Sequence, residues 1–211
     1  MSNSPFIIAI NRQLGSGGSF IGQQIARNLN LFYADREIIR EAAEKLSLME
    51  EDLESHDEKK DSFWRSFFKL CAFSDPDAYI PPKPIAPTDR KLFEIESEII
   101  RRIGQERSAV IIGRCGSYVL RDHPNLVSMF IYADTEFRKK RIQEIQNVSE
   151  EAAGKMIAQS DKERALYYRT FTGEEWTDLR QYDLSLETSK IGLDKGVEFI
   201  LKYLEYRGIP S

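Results

Sequence analysis

The sequence predicts an α/β fold, a parallel sheet of about five strands with helices on both faces. Three observations predict it. Short apolar runs alternate with helix-patterned runs along most of the 211 residues. The first apolar run, Phe6-Ile7-Ile8-Ala9-Ile10, leads through Gly15-Ser16-Gly17-Gly18-Ser19 into Ile21, Ile25 and Leu29 at helical spacing. Two further runs, 109–112 and 126–132, read as buried strands, each followed by a polar turn.

Taken in order, the first strand is roughly Phe6–Asn11 and the first helix runs from about Ser19 to Leu29. Leu31–Ala34 is a short second strand, followed by a helix from Arg36 to about Leu46. Residues 50–61 are strongly charged and read as a solvated helix face or a mobile loop. Phe63, Trp64, Phe67, Phe68 and Leu70 form an apolar cluster at helical spacing. Five of the eight prolines then follow, at 76, 81, 82, 84 and 87, a density that rules out a central helix or strand. Residues 47–87 therefore read as an insertion that moves relative to the sheet. Thr88 caps the next helix, which carries Leu92, Ile95, Ile99 and Ile103 on one face. The strand Ala109–Ile112 ends at Gly113-Arg114, and Leu126–Tyr132 ends at Ala133-Asp134. Helices at about 135–146 and 149–167 come next, broken by Tyr167–Gly173. A last strand, Asp183–Leu186, passes through Glu187-Thr188-Ser189 into a helix at about 190–206. No internal repeat is visible, and a single domain over 1–211 is expected.

Composition excludes several classes. With 41% apolar and 30% charged residues the chain is globular rather than disordered. A net charge of −4 argues against binding nucleic-acid polymers. No apolar stretch reaches the length of a membrane span, and the first residues lack a secretory signal, so a cytoplasmic protein without membrane contact is expected. Cys71 and Cys115 read as a reduced pair, and two cysteines with two histidines make no structural zinc site. No protein ligand set for a metal is predicted.

Strand, glycine-rich turn and helix together bind phosphate. The glycines let the backbone approach the anion, and the helix N-terminus offers N–H groups and the positive end of its dipole. In a parallel sheet, ligands bind beyond the carboxyl ends of the strands. That rule selects Asn11-Arg12-Gln13 with the glycine turn, Asp35-Arg36, Gly113-Arg114 and Asp134. Each alone reads as a surface charge or a helix cap, but their shared place at strand ends points to one crevice. Arg114, after a glycine at a buried strand end, is able to clamp a phosphate with two parallel bonds, or to form a structural ion pair. Arg138-Lys139-Lys140-Arg141 reads as a solvated helix face. Asp161 and Arg164 are three apart on a helix and share a face, where they can pair. The charged helix end and the glycine-containing segment after it, about 160–180, suit a lid that closes over substrate.

These segments resemble the P-loop nucleoside-monophosphate kinases, and among them the cytidylate-kinase-like group. Ile10–Gly18 resembles the glycine loop, and Phe32-Tyr33-Ala34-Asp35-Arg36 the segment that opens the monophosphate site. Ile111-Ile112-Gly113-Arg114 resembles the pair that binds the acceptor phosphate. Asp161-Lys162-Glu163-Arg164 resembles the lid's Asp-Arg-x-Arg, and Tyr182–Ser189 the final strand. Residues 47–87 match the acceptor-binding insertion in position only. The resemblance implies a three-layer α/β/α P-loop kinase fold with a helical insertion and a lid. It implies transfer of the γ-phosphoryl group of ATP, with Mg2+, to a small nucleotide such as CMP or dCMP. The backbone of Gly15, Ser16, Gly17, Gly18 and Ser19 would hold the donor phosphates. Asp35, Arg36, Arg40, Arg114, Asp161 and Arg164 would bind the acceptor, and Lys162 and Arg164 would neutralise the transferred group.

The glycine turn departs from the usual G-x-x-x-x-G-K-[ST] pattern. Gly18 stands in the lysine position, with Ser19 directly after it and Phe20 where the resembled kinases usually carry a magnesium-binding Ser or Thr. Ser16 and Ser19 are the hydroxyls left for the metal. No lysine occurs before Lys45, which makes Arg12 the candidate replacement cation. Two alternatives stand beside phosphotransfer to a nucleotide: a non-catalytic nucleotide or anion sensor on the same fold, and a kinase for another small acceptor.

Overall fold

A computed structural model describes residues 5–35, 38–39, 42–44, 46, 63–64, 66–67 and 89–209. Most of the expected insertion, and with it Arg36, Arg40, Cys71 and Thr88, lies outside the described residues.

Five strands form one parallel sheet: β1 (Ile7–Arg12), β2 (Phe32–Ala34), β3 (Ala109–Ile112), β4 (Leu126–Tyr132) and β5 (Leu184–Glu187). Their order is β2-β3-β1-β4-β5. β1 sits at the centre, with Ile10 level with Ile112 on one side and Arg12 level with Ile131 on the other. The helices are α1 (Gly18–Asn28), α2 (Asp89–Glu106), α3 (Gly116–Val119), α4 (Thr135–Gln146), α5 (Glu150–Thr172), α6 (Thr188–Ile191) and α7 (Leu193–Tyr206). Residues 38–39, 42–44, 46, 63–64 and 66–67 are also helical.

Side chains alternate across a strand, and here both faces are apolar. Ile8, Ile10, Val110, Ile112, Met129 and Ile131 face one layer, packed with Ile21 and Ile25 of α1 and Ile200 and Leu204 of α7. Ile7, Ala109 and Ile111 face the other, packed with Ile95, Ile99, Ile100 and Ile103 of α2. Burying one such isoleucine contributes about 1.5–3 kcal/mol. The opposite layer also holds an aromatic cluster of Phe130, Tyr168, Trp176 and Tyr182 around Cys115. The result is the three-layer α/β/α arrangement expected from the sequence. β1 leaves toward β2 and β4 toward β5, so a crevice opens between their carboxyl ends.

Three local differences have identifiable causes. α5 runs to Thr172, five residues beyond the expected end at 167, because Phe171 stacks on Phe93 at 4.3 Å and Gly173 ends the helix with φ 76°. The C-terminal helix is two pieces, since Gly192 at φ 80° separates α6 from α7. β5 begins one residue late, because Asp183 directs its side chain to β4 instead of joining the ladder.

Asp183 also couples three elements. Its carboxylate accepts the Ser128 N–H at 2.8 Å, the Ser128 hydroxyl at 2.9 Å and Arg207 Nη1 at 3.3 Å. Burial alone would raise this carboxyl's pKa, but the bonds from Ser128 and Arg207 outweigh it and hold the group below its ordinary value. A lowered folded-state pKa gives stability that is complete above the unfolded carboxyl's pKa and lost as pH falls through the folded one. Asp183→Asn is therefore expected to lower stability at neutral pH and to flatten the acid limb below about pH 4. Urea midpoints across an acid-to-neutral pH series check this; an unchanged acid limb would remove Asp183 from the account.

Candidate active site

The glycine turn lies at the end of β1, over the crevice. Gly17, at φ 78°, forms the N-cap of α1 and offers no side-chain cap, and the first turn carries no acid. The helix thus presents its dipole end and N–H groups without a built-in anion.

Each loop glycine is also closely packed. A Cβ on Gly15 would lie 2.8 Å from the Arg138 carbonyl oxygen, and one on Gly17 would collide with Leu193. A Cβ on Gly18 would lie 2.5 Å from the Cβ of Arg12. Arg12 then extends past Ser19, donating from Nε to the hydroxyl at 3.3 Å, and reaches Gly113, where Nη1 fills the space a Cβ would need. The guanidinium therefore lies between the start of α1 and the end of β3, beside the loop. Gly18 lacks a side chain because the stem of Arg12 occupies its place.

The loop carbonyls are held from outside. Thr188 donates to the Ser16 carbonyl at 2.7 Å, Arg138 Nε to Leu14 at 2.6 Å, and Arg164 Nη1 to Arg12 at 2.7 Å. The Ser16 hydroxyl is fully buried, against the carbonyls of Gln13 and Ile131 at 2.8 and 3.1 Å. Of the two loop hydroxyls named for a metal, Ser16 is turned inward, and Ser19 is part-exposed and accepts from Arg12.

The remaining residues fall into distinct groups. Arg164 reaches the loop, whereas Lys162 is exposed and has no partner among the described residues. Asp161 does not pair with Arg164. Both its oxygens accept from Arg138 Nη2, at 2.9 Å each. Arg138 is 3% exposed, so the first residue of the basic run is part of the interior rather than of a solvated face. Its spacing from buried Ile142, four positions on, carried that signal. Asp35 is buried and accepts the Ile38 N–H at 3.1 Å, capping the helical turn that follows β2.

Arg114 stands at the rim with unusual backbone. It and Cys115 have φ of 51° and 54°, directly after Gly113 at 73°. Left-handed non-glycine residues cost about 1–3 kcal/mol each and persist where the surroundings fix them. Here Glu96 of α2 pairs with Arg114 Nη2 at 3.2 Å, and Tyr167 of α5 donates its hydroxyl to Glu96 at 2.9 Å. The Arg114 guanidinium also lies 5.3 Å from the Tyr167 ring centroid. Burial pushes the Tyr167 hydroxyl and the Cys115 thiol up, so both stay protonated, and Cys115 is buried and inert. Glu96 escaped the sequence reading. It falls on the face of α2 that also holds Ile99, Ile100 and Ile103, and an acid on such a face needs a partner.

The second half of the 160–180 segment is anchored. Tyr182 donates to the Trp176 carbonyl at 2.7 Å and accepts from Asn11 at 2.8 Å, and both aromatic rings are buried. Trp176 and Tyr182 are packing residues of the aromatic cluster around Cys115.

A family model described as the cytidylate kinase-like family matches residues 7–190. The chain belongs to that family. Cytidylate kinase of Sulfurisphaera tokodaii is 25% identical to it over 203 residues, covering 95% of this chain and 96% of the relative. Cytidylate kinase of Methanopyrus kandleri is 27% identical over 202 residues, covering 90% and 88%. The solved structure of an uncharacterized protein from Eubacterium ventriosum superposes with a TM-score of 0.71 at 26% identity, covering 95% of this chain and 98% of that one. Cytidylate kinase-like membership makes this a nucleotide-binding kinase with the P-loop kinase fold. Among the described residues no helix is long and apolar enough to cross a membrane.

The exclusion between Arg12 and a side chain at 18 is directly testable. Gly18→Ala is expected to destabilise the protein by about 1–3 kcal/mol through overpacking. Arg12→Gly in the same chain is expected to recover most of the steric part. Denaturant unfolding of both single variants and the double variant checks it, and simple additivity would show that the two positions do not compete.

Proposed function

We propose that the protein transfers the γ-phosphoryl group of ATP to a nucleoside monophosphate, with CMP or dCMP as the preferred acceptor. One observation carries this reading. The Arg12 guanidinium lies between Gly18 and Gly113, putting a fixed cation beside a loop that has no lysine. The family match and relatives bearing the name cytidylate kinase support the choice of acceptor.

Phosphoryl transfer asks a protein for positioning and positive charge more than for covalent chemistry. In this reading the N–H groups of Gly15–Ser19 hold the donor phosphates. Arg12 neutralises charge at the transferred group, where the lysine acts in other loops. Arg164 reaches the loop from α5 and already touches the Arg12 carbonyl, and Lys162, two residues before it, would add a second charge. Arg114 takes the acceptor phosphate, with its guanidinium oriented by Glu96. Arg36 and Arg40 keep the acceptor role that the resemblance implies, and residues 47–87 supply the acceptor side. Asp35 lines that side while capping its helix.

Magnesium fits as an ion carried on the nucleotide. No group of three or more His, Cys, Asp or Glu side chains among the described residues is arranged to hold a metal. The phosphate oxygens would provide most of its ligands, with Ser19 the nearest loop hydroxyl. Bound there, the ion would offset the charge that develops on the transferred group.

ADP release from ATP and magnesium, measured with CMP, dCMP, UMP, AMP, GMP and no acceptor, tests the proposal. Acceptor-dependent release, strongest with CMP or dCMP, is expected. Arg12→Ala should then lower kcat about 100-fold or more, the scale of losing one charge-stabilising group at a transition state. ATP binding without release for any of these acceptors would replace this reading with a sensor, or with a kinase whose acceptor is not a nucleotide.

A further inference from the structure

Asp161 and the buried Arg138 form a partly buried contact that the resemblance does not assign. The matched motif places Asp161 on the acceptor nucleotide. In the structure both Asp161 oxygens are held by Arg138 Nη2, and Arg138 Nε holds the Leu14 carbonyl at 2.6 Å. Arg138 thus spans from α5 to the start of the glycine loop. Its own backbone forms the wall against which Gly15 packs. One turn along α5, Arg164 donates to the Arg12 carbonyl at 2.7 Å. Helix α5 is therefore fastened to the loop's lead-in directly at the Arg12 carbonyl and, through Arg138 of α4, at the Leu14 carbonyl, on either side of Gln13.

We infer that Asp161 is a positioning residue that acts through Arg138, setting α5 against the phosphate loop, and not a ligand of the acceptor. The inference rests on the phosphotransfer reading given above, because what it positions is Arg164 at the loop. A guanidinium delivering Nε to one partner and Nη2 to another has a fixed planar geometry, so it transmits position between them. A lysine provides charge without that geometry. A carboxylate already engaged by a buried guanidinium would have to break that pair to reach a ribose or a base, leaving Arg138 without its counter-charge. If α5 slips, Arg164 leaves Arg12, and the loop loses the support that fixes its N–H groups for the donor phosphates.

The test compares Asp161→Asn, Arg138→Lys, Arg138→Gln and the double variant Asp161→Asn/Arg138→Gln in the full chain. ATP affinity is measured by titration, and kcat and KM for the acceptor by ADP release. Circular dichroism melting reports folding, and the lysine variant, which keeps charge and stem, carries the test if the glutamine variant fails to fold. The expected result is a fall of about 10-fold or more in kcat, with a matching loss of ATP affinity, for Asp161→Asn and each Arg138 variant. The double variant should be no worse than the poorer single one, and KM for the acceptor should move less than about 3-fold. A rise of about 10-fold or more in acceptor KM for Asp161→Asn, with ATP affinity kept, would make Asp161 an acceptor ligand and overturn the inference. Additive losses would overturn it as well. If the parent protein phosphorylates none of the acceptors, the phosphotransfer reading fails separately. The ATP-affinity arm then still decides whether the two residues act as one unit.

Discussion

One side chain, laid across two glycines, determines the character of the site. Arg12 leaves β1, passes the α carbon of Gly18 and ends at Gly113. A side chain at 18 would meet its stem, so a lysine there and the arginine in this pose exclude one another. The two differ chemically as well. A lysine carries a point charge on a flexible stem, whereas an arginine holds a planar fork in one place. With its stem packed and Nε on Ser19, the fork's direction is set before any nucleotide arrives. Preorganised charge of this kind stabilises a transition state without reorganisation at the moment of reaction.

A loop that turns its N–H groups toward an anion must satisfy its carbonyls elsewhere. Three side chains meet that requirement: Arg164 for residue 12, Arg138 for residue 14 and Thr188 for residue 16. They come from α5, α4 and the start of α6, so the cradle is the meeting point of the sheet's carboxyl end rather than a property of its own short sequence. Gly15 and Gly17 permit the turn, but these donors fix it. The Ser16 hydroxyl, turned inward to Gln13 and Ile131, ties the loop to β4 as well.

The fold was legible because it rests on local pattern. Strands 109–112 and 126–132 stand where their apolar runs placed them, and the sheet expected from alternating elements has its five parallel strands. Elements were misjudged where a distant contact decides. The extra length of α5 depends on Phe93 of α2 receiving Phe171, and no window along α5 contains Phe93. The site divides in the same way. Arg12, Arg114 and Arg164 stand out in the sequence because strand ends and motif order mark them. Arg138 was read as solvated because its neighbours Lys139 and Lys140 are charged, although its i+4 partner Ile142 is buried. Glu96 was hidden by its place among isoleucines, and its meaning appears only when Arg114 and Tyr167 arrive from other elements.

The Arg114 rim and the glycine loop are not independent. Arg114 at the end of β3 is held by Glu96, Glu96 is held by Tyr167, and Tyr167 sits one turn beyond Arg164 on α5. Arg164 touches Arg12, and Arg12 ends at Gly113, the residue before Arg114. The chain of contacts closes into a ring through α2, α5, β1 and β3. Displacing α5 therefore disturbs the glycine loop and the Arg114 rim together. Strain stored at Arg114 and Cys115 belongs to the same ring, since their left-handed backbone aims the arginine at Glu96 instead of along β3. A kinase must join two substrates in line before transfer and keep water out until then. A ring in which each cation is oriented by the group that orients the next gives a physical basis for that requirement, and it accounts for arginine rather than lysine at each position where direction matters.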